Sequence, residues 1–450
     1  MDIKGKRISI IGAVRSGVGA AKLANIMGAI PFVSDSSEKN KIINSISVFE
    51  KEKIEYEYGI HSEKVFDCDF LVTSPGVPSD SEVLTTARNK KIKIFSEVEF
   101  ASWFCEGKII SITGTNGKTT TTALMTHTLN ECGIKTYSAG NIGEAFSEIV
   151  LDVKGNEFVA LETSSFQLDY IEKFKPMFSL ILNITPDHLD RYNNSFQNYI
   201  ESKVKITMNQ NENDFFIYNA DDKNTFVYMN NKRVPKLSFS LKNKVECGAY
   251  LHNNSMHYSW FGSDLNICSS SDLFIKGDHN IANALAVLSV AKTLNLPNTK
   301  IRDAFNSFKG VEHRIEFVDE INGIEFYNDS KATNVDSVWY ALKSFSKPIY
   351  LILGGKDKGN DYNQIKDLVI ERVKKIYAIG SSAEKVYDFF NEFIPVEIKE
   401  TLADCVVTSL DDAKTGSVLL LSPACASFDM FDNYEHRGKV FKEAVKKARV

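Results

Sequence analysis

A glycine-rich loop at residues 110–120 has the clearest chemical potential in this chain. The sequence ISITGTNGKTT is an apolar stretch that ends in two glycines, a lysine and two threonines. Gly114 and Gly117 carry no Cβ, so their backbone can turn its N–H groups onto a polyphosphate at the positive end of the next helix. Lys118 supplies a point charge for phosphate oxygens, and a following hydroxyl can bind Mg²⁺. The loop therefore predicts a nucleotide phosphate site, although only two residues separate its glycines, where the general form has about four.

Further along the chain, three separate residues have the chemistry to assist a phosphate site. Glu162 follows the strand predicted at 158–161, where a carboxylate near a phosphate loop can bind Mg²⁺. His188, in the run DHLDRY, can bind a metal or cap its loop. Lys203 lies beside an apolar helical stripe, so burial lowers its pKa and its neutral amine can add CO₂ to form a carbamate. From the residues alone, a lysine that extends its charge into solvent is the simpler interpretation.

Polar loops follow other predicted strands and offer further ligand sites. Asp35 ends the second strand of a βαβ pattern, where such units place a ribose-binding carboxylate. The turn SPGVP at 74–78 can bring its backbone close to a ligand at the same sheet edge. Near the C-terminus, NDSKATN at 328–334 places an acid, a lysine and hydroxyls before a helix, and Ser427 lies in a loop of small residues whose N–H groups can hold a carboxylate.

Composition excludes several classes of protein. Fifty-three basic and 58 acidic residues give a net charge of −5, which argues against a nucleic-acid surface. The seven cysteines form no CxxC pair, which indicates free thiols in a reducing compartment. No apolar run approaches the length of a membrane span, and the N-terminus resembles a strand more than a signal peptide. We therefore expect a cytoplasmic protein with no nucleic-acid or membrane partner. A monomer is the expected state, although the sequence does not fix it.

The elements that must position these residues alternate between strand-like and helix-like segments, which predicts the α/β class with mostly parallel sheets. A nucleotide-like βαβ unit comes first, and a second α/β unit begins near residue 107. Residues 236–276 are strand-like and turn-rich, with Asn253 and Asn254 at a hairpin tip. The predicted domains are 1–96, 97–309 and 310–450.

Taken in order, the motifs at these strand ends closely resemble those of the Mur ligase family over nearly the whole chain. They are GTNGKTT at 114–120, ETSSFQ at 162–167, DHLDRY at 187–192, NADD at 219–222, HN at 279–280 with Asn283, HR at 313–314, NDSKATN at 328–334 and SPACAS at 422–427. The last two, with SPG at 74–76, resemble the branch of the family that adds D-glutamate to UDP-N-acetylmuramoyl-L-alanine. Long motifs in a fixed order make chance a poor explanation.

The resemblance implies three α/β domains: a Rossmann-like UDP-binding unit, a central P-loop ATPase with a mostly parallel sheet, and a C-terminal Rossmann-like unit that closes over both. It implies an ATP-dependent ligase of cytoplasmic peptidoglycan precursor synthesis that acts through an acyl phosphate. The implied partners are ATP, two Mg²⁺ ions, UDP-N-acetylmuramoyl-L-alanine and D-glutamate. The implied ATP-binding residues are Gly114, Thr115, Asn116, Gly117, Lys118, Thr119, Thr120, Asn280, Arg314 and Asp329.

Catalytic, metal-binding and substrate-binding roles also come from this resemblance. It implies Lys118, Glu162, His188 and Lys203 as catalytic residues, and Thr119, Glu162, His188 and carbamoylated Lys203 as metal ligands. For the substrates it implies Val14, Arg15, Ser16, Asp35, Ser74, Pro75, Gly76, Asn141, Ser164, Lys331, Thr333, Ser427 and Tyr434. Two positions depart from the family pattern: Arg15 replaces a small polar residue, and Tyr434 replaces phenylalanine.

Three alternatives remain open at this point. Folylpolyglutamate synthase shares the acyl-phosphate chemistry, but the motifs at 328–334 and 422–427 disfavour it. A nicotinamide dehydrogenase is disfavoured because the first βαβ unit lacks the G-x-G-x-x-G pattern. A catalytically inactive nucleotide-binding scaffold is the non-enzyme alternative, and the intact Lys118 and Glu162 argue against it.

Replacement of Lys118 by alanine tests the phosphate loop. A phosphate contact that strengthens in the transition state commonly contributes several kcal/mol, so we expect Lys118→Ala to lower the rate of phosphate release on the order of 10³-fold. The variant should keep the wild-type circular dichroism spectrum. Phosphate release near the wild-type rate would contradict the assignment of the loop.

Overall fold

The computed structural model describes residues 2–141, 143–226, 234–357 and 359–449. These residues form three sheets, which confirms the predicted α/β class. The chain divides into two compact units: the first comprises Met1–Leu273 and Ala282–Phe308, and the second comprises Phe274–Ile281 and Lys309–Val450. No helix within the described ranges is both long and apolar enough to cross a bilayer.

The first sheet is parallel, with strand order β3-β2-β1-β4-β5. Its strands are β1 Arg7–Ile11, β2 Ile30–Asp35, β3 Glu55–Tyr58, β4 Phe70–Thr73 and β5 Ile94–Ser96. The associated helices are α1 Arg15–Ile26, α2 Ile43–Glu52, α3 Glu82–Asn89 and α4 Glu97–Ser102. Because these strands run in the same direction, the loops that follow β1, β2 and β4 meet at one sheet edge.

Two glycines allow helix α1 to begin close against the turn after β1. A Cβ added to Gly17 would lie 1.7 Å from the Gly12 carbonyl oxygen, a distance that no side chain tolerates. Gly12 itself has a φ of +97°, and a Cβ there would lie 2.8 Å from Ser74 Oγ. The glycines therefore serve close packing, which brings the loop at 14–16 to the carboxyl edge of the sheet.

The second sheet has the order β14-β13-β12-β11-β10-β9-β6-β8-β7. Its neighbouring strands from β12 to β7 in this order are parallel. Its strands are β6 Lys108–Thr113, β7 Thr136–Gly140, β8 Phe158–Glu162, β9 Phe178–Ile181, β10 Phe215–Asn219, β11 Lys236–Ser240, β12 Cys247–His252, β13 Ser255–Trp260 and β14 Ser263–Ser269. The helices are α5 Lys118–Glu131, α6 Phe146–Ile149, α7 Ser165–Leu168, α8 Phe196–Val204, α9 Lys223–Phe226, α10 Asp278–Thr293 and α11 Asn298–Ser307. Strands β12 to β14 are antiparallel, and the predicted hairpin tip at Asn253 and Asn254 is confirmed, since both residues have positive φ.

The third sheet has the order β15-β16-β20-β17-β18-β19, with only the β15–β16 pair antiparallel among the described strands. Its strands are β15 Glu316–Ile321, β16 Ile324–Asn328, β17 Ile349–Gly354, β18 Val373–Ile379, β19 Val396–Ile398 and β20 Val418–Leu421. The helices are α12 Val335–Lys343, α13 Asn363–Arg372, α14 Ala383–Phe390, α15 Leu402–Asp412 and α16 Tyr434–Ala448. The parallel neighbours β16 and β20 end together, so the loops that follow them begin side by side.

Two glutamates of helix α4 are buried, and their surroundings differ. Glu99 accepts hydrogen bonds from the backbone N–H groups of Glu172, Lys173 and Phe174, and its Oε1 also accepts from the Trp103 indole. Glu97 has one bond, from the Ser147 N–H to Oε1 at 2.6 Å, and its Oε2 has no hydrogen-bond partner among the described residues. Burial raises the pKa of Glu97 from 4.5 to about 7, although the bond from Ser147 opposes the shift.

The raised pKa of Glu97 predicts a pH-dependent stability. A carboxyl group whose pKa is higher in the folded state stabilises the fold fully below its unfolded pKa, and this stabilisation is lost as the pH rises through the folded value. Between pH 4.5 and 8 we expect the wild type to lose about 3 kcal/mol of unfolding free energy relative to Glu97→Gln, measured by urea denaturation.

Glu99→Gln is the matched control for this measurement. Its amide group would turn an N–H donor towards donors, so we expect destabilisation by several kcal/mol at every pH. A difference between wild type and Glu97→Gln that stayed constant with pH would contradict the prediction.

Candidate active site

The phosphate loop connects β6 to α5. Gly117 caps α5 with a φ of +86°, and a Cβ there would lie 2.6 Å from Asn283 Oδ1, so both the backbone and the space favour glycine. Lys118 folds back over the loop, where its Nζ donates to the Gly114 carbonyl at 2.9 Å and to the Thr115 carbonyl at 2.8 Å. The lysine charge therefore lies over the loop to which the sequence assigns a polyphosphate.

Asn183 fixes the shape of the loop from the neighbouring strand end. Its carbonyl oxygen accepts from the Thr115 N–H at 2.9 Å, and its side chain accepts from the Asn116 N–H at 2.8 Å and donates to the Asn116 carbonyl at 3.0 Å. Thr120, the last residue of the loop, is buried at the start of α5. Sequence reasoning assigned Asn183 no role; its position at the carboxyl end of a parallel strand was the available signal.

Glu162 is buried at the end of β8 and is bonded from two sides. Thr119 Oγ1, from the phosphate loop, donates to Oε2 at 2.8 Å. Asn141 Nδ2, from the end of β7, donates to Oε1 at 3.2 Å. A hydroxyl and a carboxylate at this separation are hard oxygen donors of the kind that Mg²⁺ prefers, so the residues present fit that ion.

Lys203 of helix α8 lies beneath the phosphate loop, with only 2% of its surface exposed. Its Nζ donates to the Gly114 carbonyl at 2.9 Å, the same oxygen that Lys118 contacts, and lies 4.6 Å from the centre of the Tyr199 ring. Burial lowers the pKa of Lys203 well below its usual range, and the Lys118 charge lowers it further, against the opposing effect of nearby carboxylates including Glu162. A neutral amine is therefore favoured, and the simpler interpretation of a solvent-exposed lysine charge is wrong.

His188 lies in a loop with left-handed backbone, at a φ of +51°. Its half-exposed ring meets the Phe166 ring edge-on at 5.4 Å, and Nε2 is 3.7 Å from Asp187 Oδ2. Burial lowers the pKa of His188, and the Lys118 charge contributes to the shift, although Asp187 opposes it.

Ser164, assigned to substrate, caps helix α7, where its Oγ accepts from the Gln167 N–H at 3.3 Å.

A cleft of about 580 Å³ opens at the carboxyl edge of the first sheet. The substrate residues assigned to this unit that line the cleft are Val14, Arg15, Ser16, Asp35, Ser74, Pro75, Gly76 and Asn141. Ser74 Oγ and Ser81 Oγ, both from lining residues, are buried and have no hydrogen-bond partner among the described residues. Such hydroxyls can bind a polar ligand, and Ser81 is a lining residue that sequence reasoning missed.

Asp35 organises the cleft through backbone bonds. Its Oδ2 accepts from the Ala13 N–H at 2.6 Å, and its Oδ1 accepts from the Ser37 N–H at 2.7 Å. Each oxygen keeps further lone pairs, so the carboxylate can shape the loop and still accept from a ligand hydroxyl. His61, a further lining residue without a predicted role, bonds the Ser34 hydroxyl at 2.7 Å.

In the second unit, Asp329 follows β16 and is buried. Its Oδ2 accepts from Ser422 Oγ at 2.8 Å, and its Oδ1 accepts from the Ile315 N–H at 3.2 Å. Burial raises the pKa of Asp329 from 3.8 to about 7, against the opposing effects of Ser422 and the Arg314 charge. The charge of Arg314, a second residue with a predicted nucleotide role, thus favours the ionised form of Asp329.

Arg437 of helix α16 joins the two motif loops of this unit. The guanidinium is 1% exposed and donates to Ser330 Oγ at 3.0 Å, to the Ser330 carbonyl at 2.7 Å and to the Cys425 carbonyl at 3.1 Å. The loops concerned are 328–334 and 422–427, which contain Lys331 and Ser427. Sequence reasoning gave Arg437 no role, because nothing in the sequence shows that this helix position faces both loops.

The remaining predicted residues of the second unit lie around these loops. Lys331 Nζ is 5.3 Å from the centre of the Tyr434 ring, and the Ser330 hydroxyl donates to the Tyr434 carbonyl at 2.8 Å. Ser427 is buried and Thr333 is half-buried. Asn280 Nδ2 donates to the Lys276 carbonyl at 2.8 Å. The ligand roles of all these residues stay predictions.

A phosphate loop beside a buried carboxylate and a buried amine, together with a ligand cleft at the edge of a Rossmann-like sheet, defines a nucleotide-dependent α/β enzyme. Comparison with protein families identifies it further. Residues 112–291 match the Mur ligase middle domain, residues 313–425 match the Mur ligase glutamate ligase domain, and residues 20–83 match the MurD N-terminal domain.

Full-length relatives agree with these matches. The UDP-N-acetylmuramoylalanine–D-glutamate ligase of Christiangramia forsetii is 44% identical over 447 residues, which cover 98% of this chain and 99% of that protein. The ligase of the same name from Chloroherpeton thalassium is 42% identical over 464 residues, which cover 99% and 98%. The chain belongs to the Mur ligase family.

Solved structures show the same fold at lower identity. The UDP-N-acetylmuramate-alanine ligase MurC of Thermotoga maritima superposes with a TM-score of 0.62 at 20% identity and covers 98% of this chain and 100% of that one. The MurF ligase of Thermotoga maritima in complex with ADP gives 0.60 at 16% identity, with 93% and 95% covered. The predicted fold is therefore confirmed as that of the Mur ligases.

The buried Arg437 yields a testable prediction. A lysine keeps the charge but cannot reproduce the planar set of donors, and a lost bond from a charged group costs about 1.5–3 kcal/mol. We expect Arg437→Lys to lower the free energy of unfolding by about 3 kcal/mol in urea denaturation. Arg449→Lys is the control, because Arg449 pairs with Asp319 at 3.0 Å on the surface, where the cost should stay below about 1 kcal/mol. Equal losses of unfolding free energy in the two variants would contradict the conclusion that Arg437 holds the two motif loops together.

Proposed function

We propose that this chain catalyses the ATP-dependent addition of D-glutamate to UDP-N-acetylmuramoyl-L-alanine, a step of peptidoglycan precursor synthesis. The observation that carries the proposal is the bonding of Glu162 to Thr119 of the phosphate loop on one side and to Asn141 of the cleft on the other. One carboxylate thus borders both the region assigned to the phosphoryl donor and the region assigned to its acceptor. The full-length likeness to ligases with this activity supports the same assignment.

The chemistry requires activation of a carboxylate. The terminal alanyl carboxylate attacks the γ-phosphorus of ATP, the bond from that phosphorus to the β-γ bridging oxygen breaks, and ADP leaves. The amine of D-glutamate, after loss of a proton, then attacks the acyl carbon of the resulting acyl phosphate. An amide C–N bond forms, the C–O bond breaks, and inorganic phosphate leaves. Lys118 reduces the repulsion between the two anions of the first step, because its charge lies over the phosphate loop.

Two Mg²⁺ ions are part of the proposal, held by Thr119, Glu162, His188 and Lys203. Mg²⁺, when bound, neutralises phosphate charge and orients the transferring group. Thr119 and Glu162 fit it through their paired oxygens. Asn141 orients Glu162 by donating to its second oxygen, so the carboxylate can present a fixed face to the phosphate loop.

Lys203 contributes through a carbamate in this proposal. Its neutral amine adds CO₂, a bond forms between Nζ and the carbon, and one proton is lost. The product is an anionic oxygen ligand in place of a neutral amine. The carbamate also places a negative charge beside the Lys118 ammonium group, which contacts the same Gly114 carbonyl.

The substrate assignments follow the same division. We assign the UDP portion to the cleft of the first sheet, and we propose that ATP also contacts Asn280, Arg314 and Asp329. D-Glutamate is assigned to Lys331, Thr333, Ser427 and Tyr434. Domain boundaries at 96/97 and 309/310, a cytoplasmic location and a monomeric state complete the proposal.

The carbamate has a direct spectroscopic test. With Mg²⁺, nucleotide and ¹³C-bicarbonate near pH 8, we expect a ¹³C carbamate signal and additional electron density on Lys203 Nζ. The signal should disappear in Lys203→Met and remain in Lys205→Met, because Lys205 is a partly exposed neighbour paired with Asp169 at 2.8 Å. Density for a bare ammonium group at this pH would contradict the carbamate.

The acyl phosphate can be trapped. With ATP, Mg²⁺ and UDP-N-acetylmuramoyl-L-alanine but no D-glutamate, borohydride should reduce the activated alanyl carbonyl to an alcohol that mass spectrometry detects. The first half-reaction needs no amine, so trapping should fall when D-glutamate is added and should be absent in Lys118→Ala. L-Glutamate should leave the amount of trapped alcohol unchanged. Trapping that requires D-glutamate, or phosphate release at the same rate without the muramoyl substrate, would overturn the mechanism.

A further inference from the structure

Arg191 connects the substrate cleft to the loop that contains His188. Its Nη2 donates to the Val77 carbonyl at 2.9 Å and approaches the Pro75 carbonyl at 3.4 Å. Pro75 and Val77 belong to the turn at 74–78, which lines the cleft. The guanidinium, which lies in the loop after β9 of the second sheet, therefore holds this turn.

The guanidinium also stacks on an aromatic group beside His188. Its central carbon lies 4.0 Å from the centre of the Phe166 ring, close enough for a cation–π contact. Phe166 stacks against Tyr192 with ring centres 5.9 Å apart and meets His188 at 5.4 Å. Arg191, Phe166 and His188 therefore form one continuous row of contacts.

The contact continues to Lys203. The Tyr192 hydroxyl donates to Asp169 Oδ2 at 3.0 Å and lies 3.2 Å from the hydroxyl of Ser202, the residue before Lys203. The Ser202 hydroxyl in turn donates to a backbone carbonyl at 2.8 Å. Short, directional bonds of this kind leave little freedom between the aromatic cluster and helix α8.

The polar side of the same contact has unused donors. Ser74 Oγ, Gln167 Nε2 and Arg191 Nε are buried and have no hydrogen-bond partner among the described residues. The three residues line a second cavity of about 10 Å³, the volume that one water molecule needs. A water molecule there would join the cleft turn to helix α7 and to Arg191, so the polar and aromatic contacts connect the same elements.

We propose that Arg191 is a positioning residue that couples occupancy of the substrate cleft to the geometry of His188 and Lys203. The proposal rests on the function proposed above. A substrate that orders the turn at 74–78 fixes the two carbonyls that Arg191 binds, and Arg191 then fixes Phe166 and His188. A substrate in the cleft should thereby strengthen nucleotide binding at the phosphate loop by some factor. Because the two binding free energies are linked, nucleotide must then strengthen substrate binding by the same factor.

Calorimetric titration of UDP-N-acetylmuramoyl-L-alanine, with and without Mg²⁺ and a non-hydrolysable ATP analogue, tests this coupling. In the wild type the analogue should tighten substrate binding at least about fivefold, the lower end of typical allosteric coupling. In Arg191→Lys the tightening should fall below about twofold, where the tightening is the ratio of the substrate affinities with and without the analogue in the same variant. An ammonium group cannot bind both carbonyls and also stack flat on Phe166.

Two further variants keep the test decisive. Phe166→Leu retains the bonds of Arg191 but removes the ring between it and His188, so it should also lower the coupling. Arg88→Lys is the control: Arg88 is exposed, donates to Thr85 Oγ1 at 3.1 Å and to the carbonyl of Ser79 beside the same turn, and should leave the coupling unchanged.

Three results would overturn the proposal: full coupling in both Arg191→Lys and Phe166→Leu, an equal loss of coupling in Arg88→Lys, or no coupling in a wild type that binds both ligands. A wild type that does not bind UDP-N-acetylmuramoyl-L-alanine would instead refute the proposed function, and the coupling with it.

Discussion

A hydrogen bond from Thr119 to Glu162 holds the phosphate loop against the end of β8, and the arrangement of the candidate site follows from it. It requires the end of β8 to lie beside the start of α5, which a parallel sheet provides because neighbouring strands end at one edge. The second bond of Glu162, from Asn141, extends the arrangement to the substrate cleft. A single buried carboxylate thus fixes the spacing between the phosphate loop and the cleft, and Lys203 is positioned relative to the same loop.

The buried charged side chains of this protein differ in how many hydrogen-bond partners they have. Those with several partners hold loops in place, and the one with few is favoured in its neutral form. Glu99 accepts bonds from several backbone N–H groups and Arg437 donates to several backbone carbonyls, so each buried group holds loops in place. Lys203 is buried with one bonded carbonyl and a second ammonium nearby, which favours its neutral form.

Much of the fold could be predicted from the sequence. The alternation of strands and helices, the phosphate loop and the hairpin at Asn253 and Asn254 depend on local patterns of polarity and on turn residues, and these features agree with the structure. Some boundaries shifted: the strand predicted at 158–161 is Phe158–Glu162, so Glu162 is its last residue instead of the residue after it. The contacts that support the site were less accessible. Arg437 and the stack of Arg191 on Phe166 had no distinguishing sequence pattern, and Asn183 had only its position after a strand.

Residue types and local spacing were enough to identify the glycines and Lys118 of the loop and the carboxylate of Glu162 as candidates for chemistry, whereas from the residues alone Lys203 was a charge extended into solvent. Burial and bonding partners, which depend on the fold, set the state of each group. Two glutamates of one helix, Glu97 and Glu99, look alike in sequence, yet one has a single donor and the other has four. The physical reason is that burial and hydrogen-bond partners come from segments distant along the chain, whereas the residue type and the local turn are written in neighbouring positions.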